Sequence, residues 1–319
     1  MRVVALVHFY VPVHMAGSET MLHAMLTALA RAGHDVHVVV TREQGAGDQV
    51  VDGINVVRRM GHAADAMVTY LQPDVVVTHH AEVHRAKRVS NRIGARLVHL
   101  LHSNAQQACT FTDLQRPDLV VFNTHWVREA FLTDHSEPSA SIVLHPPIDP
   151  ARHEVKPGSK VTLVNLSEAK GAGVFYALAR AMPDIEFLGV VGGYDEQLIE
   201  DLPNVEIHPH TADPRQFWAK TRILLVPSSH ESFGMVAIEA GCSGIPAIAH
   251  PTPGLLESLG DAGTFAHRSL LSDWVNALQR LLGEDEWQAA SQRARARAHS
   301  FDTEGGLCAW VTAVEALAR

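Results

Sequence analysis

The chain alternates short uninterrupted apolar runs with longer stretches in which apolar positions recur every three or four residues. "RVVALVHF" near the start is a buried-strand run, residues 18–32 ("SETMLHAMLTALARA") carry helical spacing, and "GHDVHVVV" opens the next strand after a glycine suited to ending a helix. This is a βαβ unit. Further strands are expected at "DVVVTHH", "ARLVHLLHS", "LVVFNT" and "SIVLHP", and "THWVREAFLTD" reads as a helix with Thr124 as its N-cap. Runs that are apolar throughout, separated by helices, imply a parallel sheet covered on both faces.

The segment "HPPIDPARHEVKPGSK" is rich in proline and holds a glycine, so a linker and a domain boundary near 150–158 are expected there. Beyond it the alternation restarts with "KVTLVNL", a helix over 171–181, "IEFLGVVGG", "VEIHPH", a helix over 213–219, "RILLVPSS", a helix from about 234, and "PAIAHP". Residues 270–319 keep helical spacing throughout. The expected fold class is α/β, with two Rossmann-like doubly wound domains facing a cleft: 1–152, 153–300, and a C-terminal helix, 301–319, packing back on the first. Ligands of such sheets bind outside the carboxyl ends of the strands.

Bulk properties narrow the function. With 319 residues, 46% hydrophobic and 19% charged, the chain can bury two ordinary cores. A formal net charge of -9 does not favour a polyanionic partner such as duplex DNA, and the 21 histidines make that charge depend on pH. Cys109, Cys242 and Cys308 are scattered without metal-ligand spacing. An odd count in a chain with no evident signal peptide fits a reducing cytoplasm, and no run reaches the ~20 apolar residues of a membrane span.

The segment "PSSHESFGMVAIEAGCSGIP", 227–246, holds two glutamates, Glu231 and Glu239, in an otherwise nearly uncharged run. Glu231 is expected in a strand-to-helix loop and Glu239 about two turns along the helix. Between them, the amides of Phe233, Gly234, Met235 and Val236 are first-turn donors, and the helix dipole adds roughly half a positive charge, which suits a phosphate. Gly241 and Gly244 would allow close packing and then end the helix. Carboxylates on both sides of a phosphate-binding turn suit a ligand with sugar hydroxyls at both ends.

The run "ESFGMVAIEAGCSGIP" resembles the E-x7-E signature of the retaining glycosyltransferases of family 4, which have the GT-B fold. "HFYVPVHMAGSE", "ARAGHDVHVV", "HLLHS", "HPPID" and "LSEAKG" fall in that family's order. The resemblance implies that Glu239 binds ribose hydroxyls, Glu231 the donor sugar, and the segment Ser232, Phe233, Gly234, Met235 and Val236 the distal phosphate. It further implies that Lys170 faces the diphosphate, that His102 reaches the donor sugar, and that Gly17 presents backbone amides, with Ser18 and Glu19 beside it. Catalytic roles thus fall on His102, Lys170 and Glu231. The chain departs from the pattern at Asn165, where the family commonly has an arginine, and at Ala16, where it has a second glycine. The implied reaction is hexosyl transfer with retention from a UDP- or GDP-type sugar to an acceptor hydroxyl, with no metal or other cofactor required. The acceptor is open: glycan, lipid, small molecule, protein or modified nucleic acid. A cytoplasmic place is expected, with peripheral membrane attachment left open.

Other readings stand beside this one. Both glutamates could be ordinary acids on a helix and its cap, His102 a satisfied strand-end histidine, and Lys170 a loop charge. His80 and His84, four apart with Glu82 between them, form a possible metal cluster, but a loop or helix start on the acceptor side, with Ser103, is the preferred reading. "RARARAH", 293–299, reads as a solvated helix face rather than a nucleic-acid patch. A nucleotide-sugar epimerase or hydrolase of the same fold, or a non-catalytic nucleotide-sugar-binding partner, are the competing functions. The loops 42–70 and 79–110 show no chemistry that would select an acceptor.

Overall fold

The computed structural model describes residues 1–42 and 47–317. Residues 43–46, within the first expected acceptor loop, and 318–319, in the expected C-terminal helix, lie outside that description. The chain forms two compact units, Met1–Pro147 together with the C-terminal segment from Thr303, and Ile148–Asp302.

In the first unit the strands are β1 Arg2–Val7, β2 Asp35–Val40, β3 Gln49–Val51, β4 Ile54–Arg58, β5 Val75–His79, β6 Arg96–Leu101, β7 Leu119–Phe122 and β8 Ser141–Val143. They lie in the order β3-β4-β2-β1-β5-β6-β7-β8. All neighbours are parallel except β3 and β4. That edge hairpin was not expected: Asp52 and Gly53 supply its turn with φ of 47° and 82°, and Asp-Gly is the residue pair such a two-residue turn favours. The helices are α1 Gly17–Arg31, α2 His62–Leu71, α3 Val83–Ile93, α4 Gln106–Gln115 and α5 His125–Asp134. Thr124 caps α5 as expected, its hydroxyl accepting from the Val127 amide at 3.3 Å. The C-terminal helix, Thr303–Leu317, lays fully buried Trp310 against α1, and the indole N–H donates to the Met25 carbonyl at 3.0 Å.

The second unit carries β9 Lys160–Val164, β10 Phe187–Val190, β11 Val205–His208, β12 Thr221–Val226, β13 Ala247–Ala249 and β14 Thr264–Phe265. The sheet is parallel throughout, in the order β11-β10-β9-β12-β13-β14. Its helices are α6 Ala172–Ala181, α7 Arg215–Trp218, α8 Met235–Cys242, α9 Pro253–Leu259, α10 Leu271–Leu282 and α11 Glu284–His299. Gly241 lets α11 approach α8 closely, since a Cβ there would meet the Ala294 carbonyl oxygen at 2.9 Å, and Gly244 takes the positive φ of 71° that ends α8. The arginine-rich run of α11 is only partly a solvated face: Arg295 and Arg297 donate to the carbonyls of Ser243, Ser258 and Glu257, tying down the ends of α8 and α9.

Both sheets wind outward in two directions from a central pair. In the first unit the reversal falls between β1 and β5, in the second between β9 and β12. Loops leaving the carboxyl ends of such a pair part to opposite faces and leave a crevice, the usual ligand position in open α/β sheets.

Candidate functional site

In the second unit the two loops at that switch point are tied together. After β9 the chain turns at Asn165, with φ of 70°, and runs through Lys170 to Gly171, whose φ of 92° starts α6. After β12, Pro227 packs where a Cβ on Gly171 would be, 2.5 Å away, and the Ser229 amide donates to the Ala169 carbonyl at 2.9 Å. A side chain at Gly171 would push the loops apart.

This clamp brings Lys170 and Glu231 together, Nζ to Oε1 at 2.5 Å, both largely shielded from solvent. Burial works against the ammonium charge, but the Glu231 carboxylate and the Tyr194 hydroxyl outweigh it, so the Lys170 pKa stands above its ordinary value. The loop holding Glu231 is backed by Gly254, the second residue of α9. A Cβ on Gly254 would lie 2.3 Å from the Glu231 carbonyl oxygen and 2.4 Å from Ser232 backbone atoms. Gly254 was not among the residues singled out in the sequence. Its role is a close approach between segments, for which a Pro-Gly pair gives only a turn signal.

Gly234 is the N-cap of α8 with φ of 81°, and its missing Cβ makes room for Leu255. The helix therefore begins at Met235, so the amides of Met235 and Val236 belong to its first turn, while Ser232 and Phe233 lie in the loop. The Ala237 amide is already used, donating to the Gly234 carbonyl at 2.9 Å. Glu239 sits within α8, and desolvation pushes its carboxyl up to about 7 against the opposing effect of the Arg152 charge. The residue is half-buried rather than fully solvated.

Asn165 faces inward. It is 5% exposed, and its Oδ1 accepts from the Ser167 amide at 3.1 Å and from Gln197 Nε2 at 2.8 Å. Gln197 Oε1 in turn accepts from the amides of Leu166 and Gly192. Gly192 leaves room for the Asn165 side chain, since a Cβ there would fall 2.4 Å from Asn165 Cγ. Asn165 thus joins the loops after β9 and β10. A cation does stand nearby: the Arg268 guanidinium donates to the Glu168 carbonyl at 3.4 Å, two residues before Lys170.

In the first unit, Gly17 is the first residue of α1, after Ala16 as N-cap. Glu19 in the first turn is buried, and its Oε2 accepts from the Ser18 hydroxyl at 2.8 Å. An acid thus already occupies the positive end of this helix. His102 follows β6, and its Nε2 lies 3.3 Å from Nδ1 of His79 at the end of β5. His80, with φ of 54°, turns toward both, its ring centroid 4.5 Å from His79 and 5.3 Å from His102. Burial, then the neighbouring imidazoles, holds His79 and His102 well below the usual histidine range. His84 is elsewhere, its ring 4.0 Å from Phe111, so it does not join His80 in a group with Glu82. Ser103 Oγ accepts from the Ala105 amide at 3.4 Å, steadying the start of α4. His79 was overlooked because its neighbours His80 and His84 showed the more obvious helical spacing.

Two family models match most of the chain between them. The one described as "Glycosyltransferase Family 4" matches residues 15–152, and "Glycosyl transferases group 1" matches residues 165–284. Among curated proteins, a D-inositol 3-phosphate glycosyltransferase of Corynebacterium aurimucosum is 45% identical over 65 residues, 20% of this chain and 15% of that protein. Its counterpart in Paenarthrobacter aurescens is 32% identical over 148 residues, 41% of this chain and 36% of that protein. These matches span well under two thirds of either relative. Among solved structures, Anabaena HepE in complex with UDP-glucose superposes with a TM-score of 0.82 at 17% identity, covering 99% of this chain and 100% of that one. Sucrose-phosphate synthase of Thermosynechococcus elongatus gives 0.82 at 16% identity, covering 99% of each. At such identities the superpositions establish the fold.

Proposed function

Because the chain belongs to the family-4 type of GT-B glycosyltransferases, we propose that it transfers a hexose, with retention, from a nucleoside-diphosphate sugar of the UDP or GDP type to an acceptor hydroxyl. The observation that carries this reading is the Lys170–Glu231 pair at the switch point of the second sheet, set beside the first turn of α8. The solved relative HepE is described with UDP-glucose, which supports a UDP-linked donor here.

In this reading the donor diphosphate takes the Lys170 ammonium and the Met235 and Val236 amides. Glu231 and the loop Ser232–Gly234 receive the sugar and its phosphate. Glu239 accepts from the ribose hydroxyls. The reaction breaks the bond between the anomeric carbon and the phosphate oxygen, and the acceptor oxygen forms the new bond on the same face. The acceptor proton passes to the departing phosphate oxygen. Negative charge grows on the diphosphate as it leaves, and a fixed ammonium and helix amides in a half-dry site stabilise that charge without reorganising. A metal is then not required for charge neutralisation. Residues 1–152 remain the part proposed to face the acceptor.

One observation favours a second reading. Asn165 is buried in a structural network and adds no cation where family members commonly carry one, so the chain could bind a nucleotide sugar without turning it over. A thermal-shift panel of UDP-, GDP-, ADP- and TDP-sugars tests donor binding, with Glu239→Ala as control, and product analysis with acceptor extracts tests transfer. One donor should raise Tm in the parent and not in the variant. No shift with any donor would end the proposal. Binding with no turnover would leave the second reading, and free sugar formed without acceptor would indicate a hydrolase.

A further inference from the structure

We propose that His79, His80 and His102 form a binding site for a divalent transition metal, zinc or a chemical equivalent, within the first unit. The three offer nitrogens that all lie within 4.8 Å of one another. Four-coordinate zinc holds imidazole nitrogens at about 2.0–2.1 Å, which places neighbouring ligand nitrogens about 3.3 Å apart. His79 Nδ1 and His102 Nε2 are already 3.3 Å apart. Only His80 has to draw in, by roughly 1.5 Å at most on this geometry. It is the most exposed of the three.

Three features set this apart from a chance cluster. First, His79 is fully buried, and among the described residues its Nε2 has no hydrogen-bond partner. Its polar contact is made through Nδ1, the nitrogen that faces His102. Second, His80 holds a left-handed backbone with φ of 54°, a conformation that costs of order 1 kcal/mol or more in a non-glycine residue and that here turns its ring toward the other two. Third, the group stands at the end of β5, one of the two strands at the switch point of the first sheet. His8, just beyond the end of the other, β1, lies 3.0 Å from the buried Glu82 carboxylate, which also accepts from the Thr41 hydroxyl.

Three neutral imidazoles suit zinc, nickel, copper or cobalt rather than magnesium or calcium, which prefer oxygen. A three-histidine site leaves one position for water or an anion. The metal is not needed for the group transfer proposed above; His102 is also the residue that the resemblance gives to the donor sugar, so a bound metal and the sugar would compete for it, and a titration run without donor reads the metal alone.

The probe is Co2+, titrated into the full chain without donor and followed by the visible bands of four-coordinate cobalt. One tight equivalent should develop these bands, and Zn2+ should displace it. His80→Asn keeps a residue tolerant of the left-handed backbone and should weaken binding at least about 100-fold, since even outer partners of a metal ligand are worth 10–100-fold. His102→Gln should do the same. His62→Asn, at an exposed site at the start of α2, should leave the titration unchanged. Absence of the bands, or their survival in both His80→Asn and His102→Gln, would overturn the proposal.

Discussion

Glu239 offers the sharpest test of the site in the second unit. Its carboxyl is desolvated within α8 and its pKa is raised from 4.5 to about 7. A carboxyl whose folded-state pKa lies above its unfolded value contributes stability that is fully present below pH 4.5 and is lost as pH rises through about 7. The interval corresponds to about 3 kcal/mol at roughly 1.4 kcal/mol per pH unit, and partial access to water brings the expected effect nearer 2 kcal/mol. Glu239→Gln mimics the protonated acid at every pH. The variant should match the parent near pH 4.5 and exceed it at pH 8, by about 4–8 °C in Tm for a unit of this size. The same change should weaken binding of the proposed donor about tenfold or more, because a charged acceptor of ribose hydroxyls is lost. Melting curves of both proteins at pH 4.5, 6 and 8 provide the comparison, which cancels the titration of all other groups. A variant that is less stable than the parent at pH 8, or a difference that does not change with pH, would show that the carboxylate is well solvated or firmly paired and would refute the reasoning.

Three further outcomes follow from the geometry. Replacing Lys170 by Met should destabilise the protein by about 1–3 kcal/mol by leaving the shielded Glu231 carboxylate unpaired, and Lys170→Met/Glu231→Gln should cost less than the two single changes added together; chemical denaturation of the four proteins checks this, and strict additivity would deny the coupling. Gly254→Ala should cost about 1–3 kcal/mol and lower donor affinity, since its Cβ would press on the backbone of Glu231 and Ser232; a normal Tm with normal donor binding would contradict the close packing. Trp310→Ala should remove about 3–5 kcal/mol and free the helix Thr303–Leu317 from α1, read as faster amide exchange along that helix; unchanged exchange would show that the indole does not hold it.

The sheet cores were legible because strands buried on both faces must be apolar at every position, and "RVVALV", "VVVTH" and "TRILLV" announce themselves. Local signals also sufficed where one side chain does the work, as Thr124 does at the start of α5. The β3–β4 hairpin was missed although Asp52-Gly53 carried its turn signal, because its strands are short and the edge one, Gln49–Val51, buries none of its three residues. Helix α4 was missed because only Cys109 and Thr112 of its residues are buried, which leaves no apolar stripe to read. In the site, Glu231, Gly234 and Glu239 could be placed from one contiguous segment. Gly254 against Glu231 and His79 against His102 could not, since each pairing joins segments 23 residues apart and exists only after strands and loops are laid side by side.

Lys170 and Glu231 pair with each other, and this shapes what a ligand must supply. Under the proposed function, a diphosphate that takes the ammonium leaves the Glu231 carboxylate half-buried without its counter-charge, a cost that a nucleoside diphosphate alone cannot offset. A donor that also carries a hexose brings hydroxyls to that carboxylate and restores its hydrogen bonds in the same event. The pair therefore favours the intact donor over the departing nucleotide, and after transfer the returning Lys170–Glu231 contact helps expel the product. Glycines 171 and 254 let the segments around the pair pack this closely, since a Cβ at the first would meet Pro227 and one at the second the backbone of Glu231 and Ser232.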